Sequence, residues 1–431
     1  MGQPNHSGSL IPFEIQAMLD HDVPLITANT SLTNIYTNGH ELHQVLAKSP
    51  LQDTVEHMEQ ITEKTSHFSY LLLKESLATL KYNTQEITIP AKNESIEEPL
   101  LQKAADIGDN ILDQLVLEPE HGEVDWLSVL PESDGEIGIV YPDTDLYGGS
   151  AGVYLFFVYL NHFVPKESYQ EVIDLLEKEI FFGERKKQVY ESAFFDEGMR
   201  LTVAFYVSRL LNDTKHRSYM ETSLQALKTR QIVSENQSNE WLYGKASLLA
   251  VLAAIYQTYA SEEAYEVLLA CAKAVTYQEM TDNSFAHGYA GVCYGLSKAD
   301  QVLKETTIKE KLKWYQKAFE KKLEKNDTLN HSWCKGIIGL ETVCQLLDIR
   351  FNERDRKIED KNREDDCLCH GTYGNKDNHL NDINILIDDV IRLKADTESI
   401  PVGLFCGLTG VGYQVLRAYD PLNVHSLLFI K

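Results

Sequence analysis

The chain lacks an apolar run long enough to cross a bilayer. Its longest, Ala151 to Leu160, is about half of the roughly 20 residues that a membrane helix needs. No charged stretch followed by an apolar one opens the sequence, and Met1-Gly2 is followed by His6 where a myristoylation site needs Ser or Thr. These absences predict a cytoplasmic protein. Basic charge is also scarce: 40 Lys and Arg stand against 65 Asp and Glu, a formal net charge of -25. A field of that sign opposes binding to nucleic acid or to an anionic membrane. The densest basic segment, Lys304 to Lys325, is interleaved with Glu305, Glu310, Glu320 and Glu324, the composition of a solvated helix face. Several catalytic signatures are missing. A phosphate loop would need Ser or Thr after Gly244-Lys245, where Ala246 stands, and there is no Gly-x-Ser-x-Gly elbow, His-Glu-x-x-His helix or kinase signature set.

Cysteine is sparse and odd in number: Cys271, Cys293, Cys334, Cys344, Cys367, Cys369 and Cys406. Scattered through helical segments, they suit a reducing compartment in which thiols are buried or bound to metal. With 43% hydrophobic residues the chain has ample material for a core. Its 431 residues would ordinarily suggest two or three domains, but closed helical architectures absorb such a length into one.

What is present is a repeat in which a small or glycine-rich turn opens an apolar helix. Gly149, Gly198, Gly244, Gly288, Gly336, Gly371 and Gly407 mark it, at separations of 49, 46, 44, 48, 35 and 36 residues. Each interval holds about two helices and their turns. The helices after the turns, such as Val153 to Leu160 and Leu248 to Tyr256, are apolar on all sides. Those between, such as Lys166 to Glu179 and Thr307 to Lys322, are amphipathic. The pattern predicts an all-α fold, a double-layered α/α toroid of about seven helical hairpins with the glycine turns at one end of the inner ring. Residues 1–100 lack the repeat and read as a helical extension plus linker; residues 101–431 form the toroid. Within the extension, Ser9 to Asp20 and Pro50 to Leu80 have helical periodicity, Asp22 to Asn38 reads as irregular, and Asn83 to Glu98 as a linker.

Metal-ligand residue types cluster at the later turns. Cys334 in Ser332-Trp333-Cys334-Lys335-Gly336, with Cys369 and His370 in Cys367-Leu368-Cys369-His370-Gly371, would make a three-donor set for Zn2+ with one tetrahedral position open. Adjacent ligands reach one ion only from an irregular turn, and glycine is expected to supply that freedom. The alternative for each residue is a buried thiol or a hydrogen-bonded core histidine. Cys367 competes as a ligand, while Asp365 and Asp366 read as solvated. His287, at the corresponding turn of the fourth repeat, is a candidate general acid or base, or else a capping histidine. Asp145, with Asp143 as its rival, can orient an imidazole or cap the inner helix.

The motifs Ala286-His287-Gly288, Trp333-Cys334-x-Gly336 and Cys369-His370-Gly371, on this scaffold, resemble the lanthionine synthetase C-like cyclase family across about residues 105–425. Ile11-Pro12-Phe13-Glu14 through Asp22-Val23-Pro24 looks like the end of the dehydratase region of class II lanthipeptide synthetases. The resemblance implies zinc on Cys334, Cys369 and His370, proton transfer by His287, and Asp145 as its partner or helper. It also implies Michael addition of peptide thiols to dehydroalanine or dehydrobutyrine in a dehydrated ribosomal precursor peptide, with a dehydratase domain as a further partner. Asn330 departs from the Arg that stand-alone cyclases carry there. Two other classes are weighed beside it: a noncatalytic zinc, thiol or peptide binder on the same fold, and a toroid glycosidase with two carboxylates roughly 5 to 9.5 Å apart.

Overall fold

Helix dominates the computed structural model of the protein, which describes residues 10–19, 23, 25–37, 39–82, 99–118, 122–131, 137–183, 190–229, 238–323, 331–351, 367–375, 377 and 401–430. The chain divides into two units, Met1–Leu71 and Leu72–Lys431. In the first, α1 (Ile11–Leu19) precedes an antiparallel meander of β1 (Ile26–Ala28), β2 (Ile35–Thr37) and β3 (His40–Leu42). Ile26 pairs with Thr37, and Ile35 with Leu42. The segment read as irregular therefore contains two strands; three residues are too few to display alternation. α2 (Pro50–Glu59) begins with Pro at N1 behind Ser49, whose Oγ accepts the Gln52 N–H. A break at Gln60 to Thr62 separates it from α3 (Glu63–Tyr82). The expected linker, Asn83 to Glu98, lies outside the described residues.

The second unit begins at Leu72 within α3 and continues with α4 (Leu100–Leu112) and two small hairpins, β4 (Val116–Glu118) with β5 (Glu123–Asp125) and β6 (Ser128–Pro131) with β7 (Ile137–Val140). Helices then alternate between two layers. The inner ones are α5 (Ser150–Phe163), α7 (Asp196–Leu211), α9 (Lys245–Tyr259), α11 (Tyr289–Leu303), α13 (Ile337–Leu346), α14 (Thr372–Asn375) and α15 (Leu408–Tyr419). The outer ones are α6 (Glu167–Phe182), α8 (Thr214–Thr229), α10 (Glu262–Ala274) and α12 (Thr306–Leu323). Every residue of α9 from Lys245 to Ile255 is buried, whereas α12 buries Ile308, Tyr315, Phe319 and Leu323 along one stripe. α4 packs against α15, so the last inner helix is covered by a helix from the front of the unit. Among the described residues no helix is long and apolar enough to cross a membrane.

Hydrogen bonds between the turns close the ring. Leu146 N–H donates to the Phe194 carbonyl, Leu242 to Ala286, Ala286 to Cys334, Cys334 to Cys369, Cys369 to Phe405, and Phe405 back to Tyr147, at 2.8 to 3.2 Å. Among the described residues, the step from second turn to third is made by a side chain, Ser192 Oγ donating to the Leu242 carbonyl at 2.7 Å. Each turn thus donates to the next, and the seventh to the first. This belt makes the predicted toroid a closed one.

The reason for glycine differs from the expectation. At the helix starts the glycines are extended, for example Gly288 at φ -117° and Gly336 at φ -108°, a conformation open to any residue. Room decides instead. A Cβ on Gly288 would lie 2.4 Å from the Ser284 nitrogen and one on Gly244 2.4 Å from the Ser238 carbonyl, while inside the helix one on Gly339 would lie 2.3 Å from the Trp333 carbonyl and 2.6 Å from Phe285 Cβ. Each turn folds over the start of its own helix and wedges against the preceding one, which leaves no space for a side chain.

Candidate metal centre

The belt sets a common register around the rim. Cys334 and Cys369 occupy equivalent belt positions, those of Ala286 and Leu242 in the two turns before. The residues one step further on are Tyr147, Phe195, Tyr243, His287, Lys335, His370 and Cys406, all partly or fully exposed. Two thiols and one imidazole consequently meet. The ligand atoms of Cys334, Cys369 and His370 lie within 4.8 Å of one another, with both cysteines buried and the histidine exposed.

Small acceptors hold these turns. Ser284 Oγ accepts the His287 N–H at 3.1 Å, Ser332 Oγ the Lys335 N–H at 3.3 Å, and Cys367 Sγ the His370 N–H at 3.4 Å. Cys367 thus caps the turn that carries His370 and stands outside the three-donor group. Asp145 does similar work in the first turn, where its Oδ1 accepts the Tyr147 and Gly148 N–H groups at 2.7 Å each. Burial pushes the Asp145 carboxyl up to about 6, against the downward pull of those N–H bonds. Asp365, Asp366 and Asn330 lie outside the described residues.

The carboxylate beside His287 is Glu240, which the sequence reading did not single out. His287 Nδ1 is 2.7 Å from Glu240 Oε2, and the Tyr243 ring lies over the imidazole at 5.7 Å, inclined by 25°. Tyr147 was likewise overlooked. Its hydroxyl is 3.3 Å from Cys406 Sγ and also hydrogen-bonds Cys369. Burial, then the charges of Cys369 and Cys406, hold that hydroxyl well above its ordinary pKa, so it stays a donor. Tyr243 and Tyr147 sit one position past the belt, as His287 does, and aligning the turns on their belt residues would have exposed both.

The two thiols share a hydrogen bond, which splits their proton affinities. Cys334 is drawn below the ordinary thiol value by the Cys369 hydrogen bond, helped by Ser332 and the His370 charge, while the same bond and burial raise Cys369 well above it. A buried pair that favours losing one proton, beside an imidazole, is a soft N/S donor set, and that chemistry fits zinc.

A closed ring of helical hairpins with a two-thiol, one-imidazole cluster on its rim defines a toroid with a candidate metal centre. A family model described as "Lanthionine synthetase C-like protein" matches residues 142–384, and the chain belongs to that family. Among solved structures, one titled "Nisin cyclase" aligns at 14% identity with a TM-score of 0.37, covering 65% of this chain and 78% of that one. Comparison with curated proteins finds no match.

Proposed function

We propose that the protein is a zinc-dependent cyclase that closes thioether rings in a dehydrated ribosomal peptide, adding a cysteine thiol to the alkene of dehydroalanine or dehydrobutyrine. The observation that carries this reading is the three-donor cluster at the rim that also bears His287. Cys334, Cys369 and His370 would hold zinc, which would supply a Lewis acid that keeps a visiting thiol deprotonated.

Addition of sulfur to the β-carbon requires a proton at the α-carbon. His287 is suited to deliver it. Glu240 occupies Nδ1, leaving Nε2 for the transfer, and the carboxylate stabilises the imidazolium that donates. Tyr243 limits the ring's rotation by stacking on it. Asp145 helps at one remove by fixing the turn that places Tyr147 beside Cys369. The thiol loses one proton and the α-carbon gains one, so the product has the mass of the substrate. The seven cysteines, none of them in a disulfide, fit a cytoplasmic setting, and a dehydratase domain is the partner that would supply the alkene.

The test is incubation with a synthetic peptide bearing one dehydroalanine and one cysteine, followed by thiol alkylation and mass analysis. Alkylation should disappear at constant mass. Cys334→Ala should abolish zinc binding, whereas His287→Ala should keep zinc and slow ring closure by about 10²- to 10⁴-fold. Glu240→Ala should slow it too, with zinc retained. A peptide that binds with zinc yet stays fully alkylatable would identify a thiol-binding protein instead of a cyclase.

A further inference from the structure

The end of the chain runs through the ring, beyond the stretch matched by the family. Tyr206 of α7 donates its hydroxyl to the Ser426 carbonyl at 2.7 Å, Tyr294 of α11 to that of Ile430 at 3.3 Å, and Tyr413 of α15 to that of His425 at 2.9 Å. These are the second, fourth and seventh inner helices of the toroid. A segment that reaches all three lies in the lumen. Its burial agrees: Leu427, Leu428, Phe429 and Ile430 are each at most 3% exposed. Ser426 Oγ anchors it further by donating to Asp377 Oδ2 at 2.8 Å. Asp377 in turn accepts from Arg417 of α15 at 2.7 Å.

We infer that the segment Val424–Ile430 is the floor of the metal centre and that Phe429 is a positioning residue for it, an inference that rests on the reading of Cys334 as a ligand. Phe429 meets Phe285 edge to face at 5.1 Å and 81°. Phe285 in turn lies 5.4 Å from Trp333. Phe285 precedes Ala286 and Trp333 precedes Cys334, the two residues joined by the belt bond from Ala286 N–H to the Cys334 carbonyl at 2.9 Å. The Phe429 ring therefore braces the aromatic pair under the link that holds the His287 turn to the Cys334 turn. Interiors are close-packed, and surroundings relax only partly into a cavity. Deleting this ring lets Phe285 and Trp333 settle and shifts the Cys334 thiol relative to its two co-donors.

The experiment compares the full-length wild type with Phe429→Ala, Phe429→Leu and Leu428→Ala. Zinc affinity is measured by competition with a chromophoric chelator, and thermal melting of the metal-free proteins is measured in parallel. Both alanine variants open a cavity in the same segment and should melt earlier. Only Phe429→Ala should also weaken zinc, by about 10-fold or more, as loss of a group supporting a ligand does. Leu428→Ala should stay within about 2-fold of wild type, as an independent site would. Equal zinc affinities in the two alanine variants would overturn the inference. Should Phe429→Ala fail to fold, Phe429→Leu, which retains an apolar side chain but loses the ring edge, replaces it in the same comparison. Wild type that binds no zinc would overturn the metal-centre reading and this inference together, whereas wild type that binds, with no separation between variants, overturns this inference alone.

Discussion

At Asp145, burial and hydrogen bonding act in opposite directions, and burial wins. Its carboxyl is raised from 3.8 to about 6, so folding favours the protonated form. The associated stability is fully present below the unfolded value and is lost as pH rises through the folded one, with a ceiling of about 3 kcal/mol. Asp145→Asn keeps an oxygen to accept the Tyr147 and Gly148 N–H groups but cannot ionise. Between pH 5.5 and 7.5 the wild type should therefore lose about 1 kcal/mol of unfolding free energy relative to the variant. Urea titrations at the two pH values measure this, and parallel changes in the two proteins would refute it. The same residue shows why a site is only partly legible in a sequence. Cys334, Cys369, His370 and His287 could be picked out because each stands one or two positions before a glycine marker. Glu240 could not, since its meaning depends on a histidine 47 residues away in the next turn. Tyr147 and Tyr243 were hidden by their type, because an aromatic in a helical repeat is ordinarily core.

Among the elements, the inner helices begin and end by different rules. Their starts are marked by glycines that close packing requires, so the repeat could be read directly. Their ends carry no such mark: α7, α9 and α11 finish on left-handed Asn212, Ala260 and Lys304, at φ 49°, 51° and 53°. For Ala and Lys that conformation costs roughly 1 kcal/mol, which glycine avoids at some cost in unfolded-chain entropy. Both side chains are exposed, so a substitution removes no core contact. Ala260→Gly combined with Lys304→Gly should raise stability by about 1 kcal/mol in sum, the sites being on different helices. The urea midpoint should rise at unchanged slope; a midpoint that falls would mean that glycine's entropy outweighs the relieved strain. The small strands escaped the sequence for a different reason. β1 to β5 are three residues each, and their hairpins are set by pairing that periodicity over so short a run cannot register.

For the whole toroid, the belt makes the candidate metal centre a joint between repeats. Cys334 belongs to the fifth turn and Cys369 with His370 to the sixth, and one belt bond, Cys334 N–H to the Cys369 carbonyl at 3.2 Å, already joins them. Zinc would add a second tie across the same seam. Because every turn donates to the next, a loosened seam weakens the ring as a whole and not one hairpin alone. A ligand that binds only the folded state stabilises it by about 4 kcal/mol at 1,000 times its dissociation constant. Spread over a unit of this size, with an unfolding entropy of about 2 cal/mol/K per residue, that amounts to a shift in Tm of about 6 °C. Chelation should lower the wild-type transition by about that much, and re-addition of zinc should restore it. Cys334→Ser should show no zinc-dependent shift at all. Scanning calorimetry with and without chelator decides the matter: a wild-type transition indifferent to zinc would mean that the two turns are held by the belt alone and that the cluster of thiols and imidazole is not a metal centre.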